Sequence, residues 1–170
     1  MNIYVIGFMG TGKTTVGQAL ASRIGWAWID MDQELEKREG RSIADMFAEN
    51  GEDYFRKRES ELLEELAGCH RLLVTTGGGI VLRPVNRERM RQTGCVISLT
   101  ADKQAIKNRV SQQAGRPLLT GGELDQRIDR LLQERNGLYN DADIVIDTTD
   151  RDVAEIVREI LWHPSFPRVL

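Results

Sequence analysis

The chain has 170 residues, of which 41% are hydrophobic and 29% charged, and its formal net charge is −3. That length supports one compact domain with a sizeable core and leaves no room for a second full one. The balanced charge argues against nucleic acid or an anionic membrane as the main partner, and no apolar run approaches the roughly 20 residues of a membrane-spanning helix. Two cysteines, Cys69 and Cys95, lie outside any Cys-x-x-Cys pair, and there are two histidines, His70 and His163, so a Cys/His zinc site is not expected. The thiols read as reduced and structural, which suits a cytoplasmic chain. Any general base is a carboxylate sooner than an imidazole.

Met1-Asn2-Ile3-Tyr4-Val5-Ile6 has neither a basic leader nor a cleavage-site pattern, and it reads as an opening strand rather than a signal peptide. Gly7-Phe8-Met9-Gly10-Thr11-Gly12-Lys13-Thr14 follows, a complete phosphate-binding P-loop between that strand and a helix predicted over about 13–24. Its glycines let backbone N–H groups converge on phosphate oxygens at a helix N-terminus. Lys13 suits the β- and γ-phosphates and the Thr14 hydroxyl suits Mg²⁺, so the chain is expected to bind a nucleoside triphosphate. A short strand at 27–29 ends in Asp30, and two helical stretches follow, with Gly40 and Gly51 as stops and Ser42-x-x-Asp45 resembling a capping box. A helix over 53–67 closes at Gly68, and a strand at 72–75 runs into Gly77-Gly78-Gly79. Pro84 opens a helix that stops near Gly94; a strand at 95–99, helices at about 102–113 and 123–139, a strand at 144–146 and a helix at 153–161 complete the series. Strands that alternate with helices and read as near-continuous Val/Ile/Leu runs specify a parallel sheet covered on both faces. Prolines in the tail, 162–170, stop the last helix from continuing.

Several polar residues interrupt these patterns. Asp30 and Asp32 follow the second strand; two apart on a strand they share a face, and beyond its carboxyl end that face looks toward the phosphate site. One would support the Mg²⁺ shell and the other accept a proton from an acceptor hydroxyl; the plain alternative is an N-cap at Asp32 with Asp30 in a loop. On the helix over 53–67, Phe55, Leu62 and Leu66 form an apolar stripe that contains Glu59, with Leu63 at its edge and Arg56 at its border. A buried carboxylate is costly unless paired, and residues three apart can pair. The pair is either an arginine oriented toward an anionic substrate or a structural ion pair. Arg135 continues the stripe of Leu124, Ile128 and Leu131, and it either points into a cleft or snorkels. The triple glycine suits a backbone that a ligand approaches closely, or a simple turn. Gly115 to Gly122, with Arg116 inside, reads as a hinged lid whose arginine meets the triphosphate, or as an ordinary surface loop.

Taken together the chain resembles the shikimate kinases from Ile3 to about Leu161. The ordered set Asp30-Met31-Asp32, Gly40-Arg41-Ser42-Ile43, Phe47, Gly51, Phe55-Arg56-x-x-Glu59, Thr76-Gly77-Gly78-Gly79, Arg116-Pro117-Leu118-Leu119 and Arg135-x-x-x-Tyr139 carries the resemblance; the P-loop alone is shared with many families. The resemblance implies a three-layer α/β P-loop kinase of the nucleoside-monophosphate-kinase type, with a central five-stranded parallel sheet, helices on both faces and a mobile lid. One domain would span 1–170, with a shikimate-binding helical segment at 32–60, a lid at 111–123 and a tail at 162–170. It implies Mg²⁺-dependent transfer of the ATP γ-phosphoryl to the 3-hydroxyl of shikimate, in aromatic amino-acid biosynthesis, by a cytoplasmic monomer with no nucleic-acid or membrane partner. Lys13, Asp32 and Arg116 would be catalytic, with Asp32 the candidate base. Gly10, Thr11, Gly12, Lys13, Thr14, Thr15, Arg109, Arg116 and Arg151 would hold ATP. Asp32, Arg56, Gly77, Gly78, Gly79 and Arg135 would hold shikimate, the two arginines clamping its carboxylate. Thr14 would ligate Mg²⁺ and Asp30 would support it through water. Another small-molecule P-loop kinase acting on a hydroxylated carboxylic acid is the alternative, and it would be expected to lack the combined Asp32, Arg56 and Arg135.

Overall fold

The computed structural model describes residues 1–113 and 121–168. Strands β1 (Asn2–Gly7), β2 (Ala27–Asp30), β3 (Leu72–Thr75), β4 (Gly94–Thr100) and β5 (Ile144–Asp147) form a parallel sheet in the order β2-β3-β1-β4-β5. The helices are α1 (Lys13–Ile24), α2 (Met31–Glu39), α3 (Ile43–Asn50), α4 (Glu52–Ala67), α5 (Pro84–Thr93), α6 (Lys103–Gln113), α7 (Gly121–Glu134) and α8 (Val153–Trp162), and a 3₁₀ turn spans Ile80–Leu82. The chain runs from β1 to β2 at one edge, returns through β3, then crosses β1 to β4 and β5. The order therefore reverses at β1, and such a reversal opens a crevice beyond the carboxyl ends of the strands. The P-loop leaves β1 at that point.

Alternation along the strands divides the core between the two faces of the sheet. Ile3 and Val5 of β1 pack with Leu73, Ile97, Leu99, Ile144 and Ile146 against Val16 and Leu20 of α1 and Ile156 and Ile160 of α8. Tyr4 and Ile6, their neighbours in sequence, face the other way with Val74 and Val96, against Met31, Leu35, Met46, Phe55, Leu62 and Leu63. A third, smaller cluster joins Phe8 of the P-loop to Ile106, Leu124 and Ile128. The edge strand β5 buries Ile144 and Ile146 and leaves Val145 half exposed, because one of its faces is uncovered.

The helix ends follow from local chemistry. Gly40 closes α2 at φ 65° and Pro84 opens α5, as predicted. Ser42 caps α3 by accepting the Asp45 N–H at 3.1 Å, and Asp152 and Glu155 form a reciprocal capping box on α8. Two expectations are corrected. The helix expected over 123–139 ends at Glu134: the Arg135 N–H still reaches the Leu131 carbonyl (3.1 Å), but Gly137 adopts φ 79° and the Leu138 N–H turns back to the Arg135 carbonyl (3.1 Å). Asp30 and Asp32 do not share a strand face either, because β2 stops at Asp30 and Asp32 lies in the first turn of α2. The cap of α2 is Asp30, which accepts the Gln33 N–H at 3.1 Å, rather than Asp32.

Gly17 sets how closely α1 approaches the sheet. A Cβ there would lie 2.2 Å from Thr75 Cγ2 and 3.2 Å from Leu73 Cδ2, with both partners held by β3. Gly17→Ala is therefore expected to destabilise the fold by about 1–3 kcal/mol through overpacking. Urea denaturation would register it as a lower midpoint at unchanged slope. An unchanged midpoint would mean that α1 has room to move.

Candidate active site

α1 begins without a side-chain cap, on Gly12 in the left-handed conformation (φ 92°), so its first N–H groups are presented to an anion. Lys13 curls over the loop and donates to the carbonyls of Gly7 (2.8 Å) and Phe8 (3.0 Å), and the Thr11 hydroxyl donates to Phe8 O (2.7 Å). Burial lowers the Lys13 ammonium to about 8, against the raising influence of Asp32 and then Asp30. Both aspartates thus face the P-loop, although they arrive from a strand end and a helix start. Thr14 and Thr15 are exposed at the start of α1.

Asp30 does two things at once. Oδ1 caps α2, while Oδ2 accepts from Thr14 Oγ1 (2.9 Å) and Thr75 Oγ1 (2.8 Å). Among the described residues no group of three or more His, Cys, Asp or Glu is arranged to hold a metal by itself. The Thr14–Asp30 oxygen pair fits a small hard cation that keeps water and nucleotide phosphates as its remaining ligands, as Mg²⁺ does.

The triple glycine lies against a cluster of charged side chains. A Cβ on Gly77 would meet Asp32 Oδ1 at 2.7 Å and Glu59 Oε2 at 3.2 Å. On Gly78 it would meet Arg135 Nη1 at 3.2 Å, and on Gly79 the Arg56 guanidinium at 2.2 Å. Four charged side chains from α2, α4 and the turn after α7 therefore converge on one stretch of bare backbone. Glu59 is fully buried and Arg56 Nη1 donates to its Oε1 at 2.9 Å, with Glu52 3.4 Å from the same guanidinium on its outer side. Arg135 is 7% exposed, lies over the Phe8 ring (5.7 Å) and donates to the Tyr139 hydroxyl at 3.3 Å. Asp32 Oδ1, Glu59 Oε2 and Arg135 Nε are buried without a hydrogen-bond partner among the described residues. Two orphaned acceptors and one orphaned donor suit a ligand that carries both hydroxyls and a carboxylate. Burial, ahead of the nearby Asp30 charge, raises the Asp32 carboxyl to about 6; burial, opposed chiefly by Arg56, raises Glu59 to about 7.

The two adenine-side candidates differ. Arg109 donates to Gly10 O (3.1 Å), Thr148 Oγ1 (3.0 Å) and Thr148 O (2.7 Å), which fastens α6 to the P-loop. Arg151 donates to Asp147 O (3.0 Å) and pairs with Glu159 of α8, both outside the P-loop. Arg116 and most of the expected lid lie outside the described residues. Sequence reasoning gave no role to Thr75 or to Thr148, which is buried and donates to Thr11 O at 2.9 Å. A threonine at or just past a strand end, at the height of the P-loop, was the available signal.

The family model for shikimate kinase matches residues 9–163. The chain belongs to the shikimate kinase family. A shikimate kinase of Pelotomaculum thermopropionicum is 44% identical over 160 residues, covering 94% of this chain and 93% of that protein. The structure of a shikimate kinase from Acinetobacter baumannii in complex with shikimate superimposes with a TM-score of 0.87 at 37% identity, covering 94% of this chain and 90% of the other. That of the Aquifex aeolicus shikimate kinase gives 0.80 at 35% identity, covering 95% and 94%. As a member of the family the chain is an ATP-dependent kinase that phosphorylates an alcohol, and the five-stranded parallel sheet expected from the sequence is present.

Glu59 gives this site a pH signature. Its folded pKa lies above its ordinary value of 4.5, so between pH 4.5 and about 7 the folded chain holds more protons than the unfolded one. Stability then falls as pH rises through that window. Glu59→Gln is expected to remove a pH-dependent loss on the order of 2–3 kcal/mol, whatever it does to absolute stability through Arg56. Urea melts at pH 5, 6 and 7.5 measure it. Identical pH slopes in the two proteins would show that Glu59 does not titrate in this range.

Proposed function

We propose that this chain transfers the ATP γ-phosphoryl to the 3-hydroxyl of shikimate, giving shikimate 3-phosphate and ADP, as a step of aromatic amino-acid biosynthesis. The observation that carries the reading is the convergence of Asp32, Glu59, Arg56 and Arg135 on Gly77–Gly79, where Asp32 Oδ1, Glu59 Oε2 and Arg135 Nε have no hydrogen-bond partner among the described residues. Arg56 and Arg135 bind the substrate carboxylate through charge-assisted hydrogen bonds. Asp32 takes the hydroxyls, orients the attacking oxygen and accepts its proton. The bare backbone of the triple glycine lies along the ring. Segment 32–60 and the turn after α7 thus form the acceptor side of a single domain.

On the donor side, Gly10 to Thr15 and the open start of α1 hold the phosphates. Lys13 leaves the carbonyls of Gly7 and Phe8 for the β- and γ-phosphates, whose charge replaces the hydration it has lost. Thr14 directly, and Asp30 through water, would hold Mg²⁺, which would supply neutralisation of the charge that develops in transfer. Arg109 supports the adenine end from α6 through its bonds to Gly10 and Thr148, and Arg151 follows on the loop that carries Thr148. Arg116 in the lid segment, 111–123, adds positive charge to the transferring group. We read the protein as a cytoplasmic monomer acting on small molecules; its exposed free thiol, Cys69, suits a reducing compartment. No described helix is long and apolar enough to cross a membrane.

Coupled ADP release with ATP, Mg²⁺ and shikimate tests the reading. Shikimate-dependent turnover is expected, and its absence with folded protein, or equal turnover with another hydroxy acid, would overturn the assignment. Lys13→Ala and Asp32→Asn are each expected to lower kcat by at least about 10²-fold with far-UV circular dichroism unchanged. Arg135→Ala is expected to raise the shikimate KM by about 30-fold or more, in the range found when one partner of a buried charge pair is truncated, with a smaller change in the ATP KM. An unchanged shikimate KM would remove Arg135 from the carboxylate clamp.

A further inference from the structure

Tyr139 lies in the turn beyond α7, half-buried, and touches both halves of the site. Its hydroxyl donates to the Gly78 carbonyl at 2.5 Å and accepts from Arg135 Nη1 at 3.3 Å. A phenol has one proton, so the donation to Gly78 fixes the direction of the chain: Arg135 gives to Tyr139, and Tyr139 gives to Gly78. The ring of Tyr139 meets Phe8 edge-on, with centroids 6.4 Å apart and planes at 88°. Phe8 belongs to the P-loop, and its carbonyl accepts from Lys13 and Thr11.

Three glycines in succession are the least constrained stretch a chain can have, and something outside them must hold their peptide planes. Thr76 ties the run at its start, with its N–H (3.1 Å) and hydroxyl (3.0 Å) both donating to Val5 O. At the other end Ile80 N–H bonds Gly77 O at 3.2 Å. Between these, Tyr139 holds the Gly78 carbonyl. Because the peptide unit is planar and trans, a fixed Gly78 carbonyl also fixes the Gly79 N–H, pointing the opposite way. Gly79 is the residue packed on the Arg56 guanidinium, and Gly78 the one beside Arg135. One hydroxyl therefore governs where both arginines sit relative to the backbone.

We propose that Tyr139 is a positioning residue for phosphoryl transfer, setting Arg135 and the Gly78–Gly79 peptide through its hydroxyl while its ring keys them to the P-loop at Phe8. It touches no reacting atom; it acts through Arg135 and Gly78. Burial raises its pKa, which keeps the donating proton in place. The proposal rests on the kinase reading of the site, and the test separates the two because turnover by the unaltered chain is measured first.

Tyr139→Phe keeps the ring on Phe8 and removes the hydroxyl. The shikimate KM is expected to rise about tenfold, as for loss of one buried hydrogen bond to a charged group, with kcat and the ATP KM within about twofold and the melting temperature nearly unchanged. Tyr139→Leu, which also removes the ring edge, is expected to add a fall in kcat of about tenfold. Because Tyr139 acts through Arg135, the double variant with Arg135→Ala should raise the shikimate KM little more than Arg135→Ala alone. A folded Tyr139→Phe protein with unchanged shikimate KM would overturn the proposal. So would effects that multiply independently in the double variant, or shikimate and ATP KM values that rise together. A Tyr139→Phe protein that no longer folds would assign the residue to the core and equally overturn it.

Discussion

No side chain can stand at Gly77, Gly78 or Gly79 without displacing a charged group, and the cluster of Asp32, Arg56, Glu59 and Arg135 is arranged around that constraint. Asp32 comes from α2, Arg56 and Glu59 from α4, and Arg135 from the turn after α7, segments far apart in the chain. Each reaches the same stretch of backbone because nothing projects from it: the missing Cβ atoms would lie only 2.2–3.2 Å from their polar atoms. Removing the methyl at three successive positions lets four charges gather within one small volume. It also leaves that backbone floppy, so the surrounding bonds from Thr76, Ile80 and Tyr139 supply the rigidity that the glycines lack.

Gathering charges in a half-buried crevice works against folding. Arg56 and Glu59 compensate one another, yet among the described residues Glu59 keeps an unpartnered oxygen and Arg135 an unpartnered Nε. Buried charge of this kind is neutralised by proton uptake or by a partner. The raised carboxyls of Asp32 and Glu59 and the lowered ammonium of Lys13 are three expressions of the same desolvation. Each shifts toward its neutral form because burial strips the charged form of its hydration.

The sequence revealed some of this directly and some of it not at all. The P-loop was legible because its glycines, lysine and threonine lie within eight consecutive residues, bounded by a strand and a helix. Glu59 and Arg56 were legible because a charged pair on an apolar helix face breaks a periodic pattern. Asp30 and Asp32 were identified for a wrong reason: no period-two argument applies once the strand ends between them, and the first helical turn brings Asp32 to the site instead. Leu124, Ile128 and Leu131 lead up to Arg135 at helical spacing, while the tightening at Gly137 is a backbone event that side-chain periodicity does not record. Thr75 and Thr148 left only the weak signal of a threonine at or just past a strand end, since their roles depend on hydrogen bonds to Asp30, Thr11 and Arg109 that sequence spacing does not record.

What fixes the donor half against the acceptor half is the hydrogen-bonded spacing of the sheet rather than any loop. Thr75 is the register partner of Val5 in β1 on one side and of Asp30 in β2 on the other. Its hydroxyl donates to Asp30 Oδ2, the oxygen that also receives the Thr14 hydroxyl from the start of α1. The chain of contacts runs from the P-loop helix through Asp30 and Thr75 to β3, and β3 carries the triple glycine. Adjacent strands cannot change their separation of about 4.8 Å without breaking the ladder. The distance from phosphate loop to acceptor backbone is therefore held by the most rigid part of the fold. Phosphoryl transfer asks a protein for little covalent chemistry and much positioning, and a sheet whose order reverses at β1 supplies that positioning before any substrate arrives.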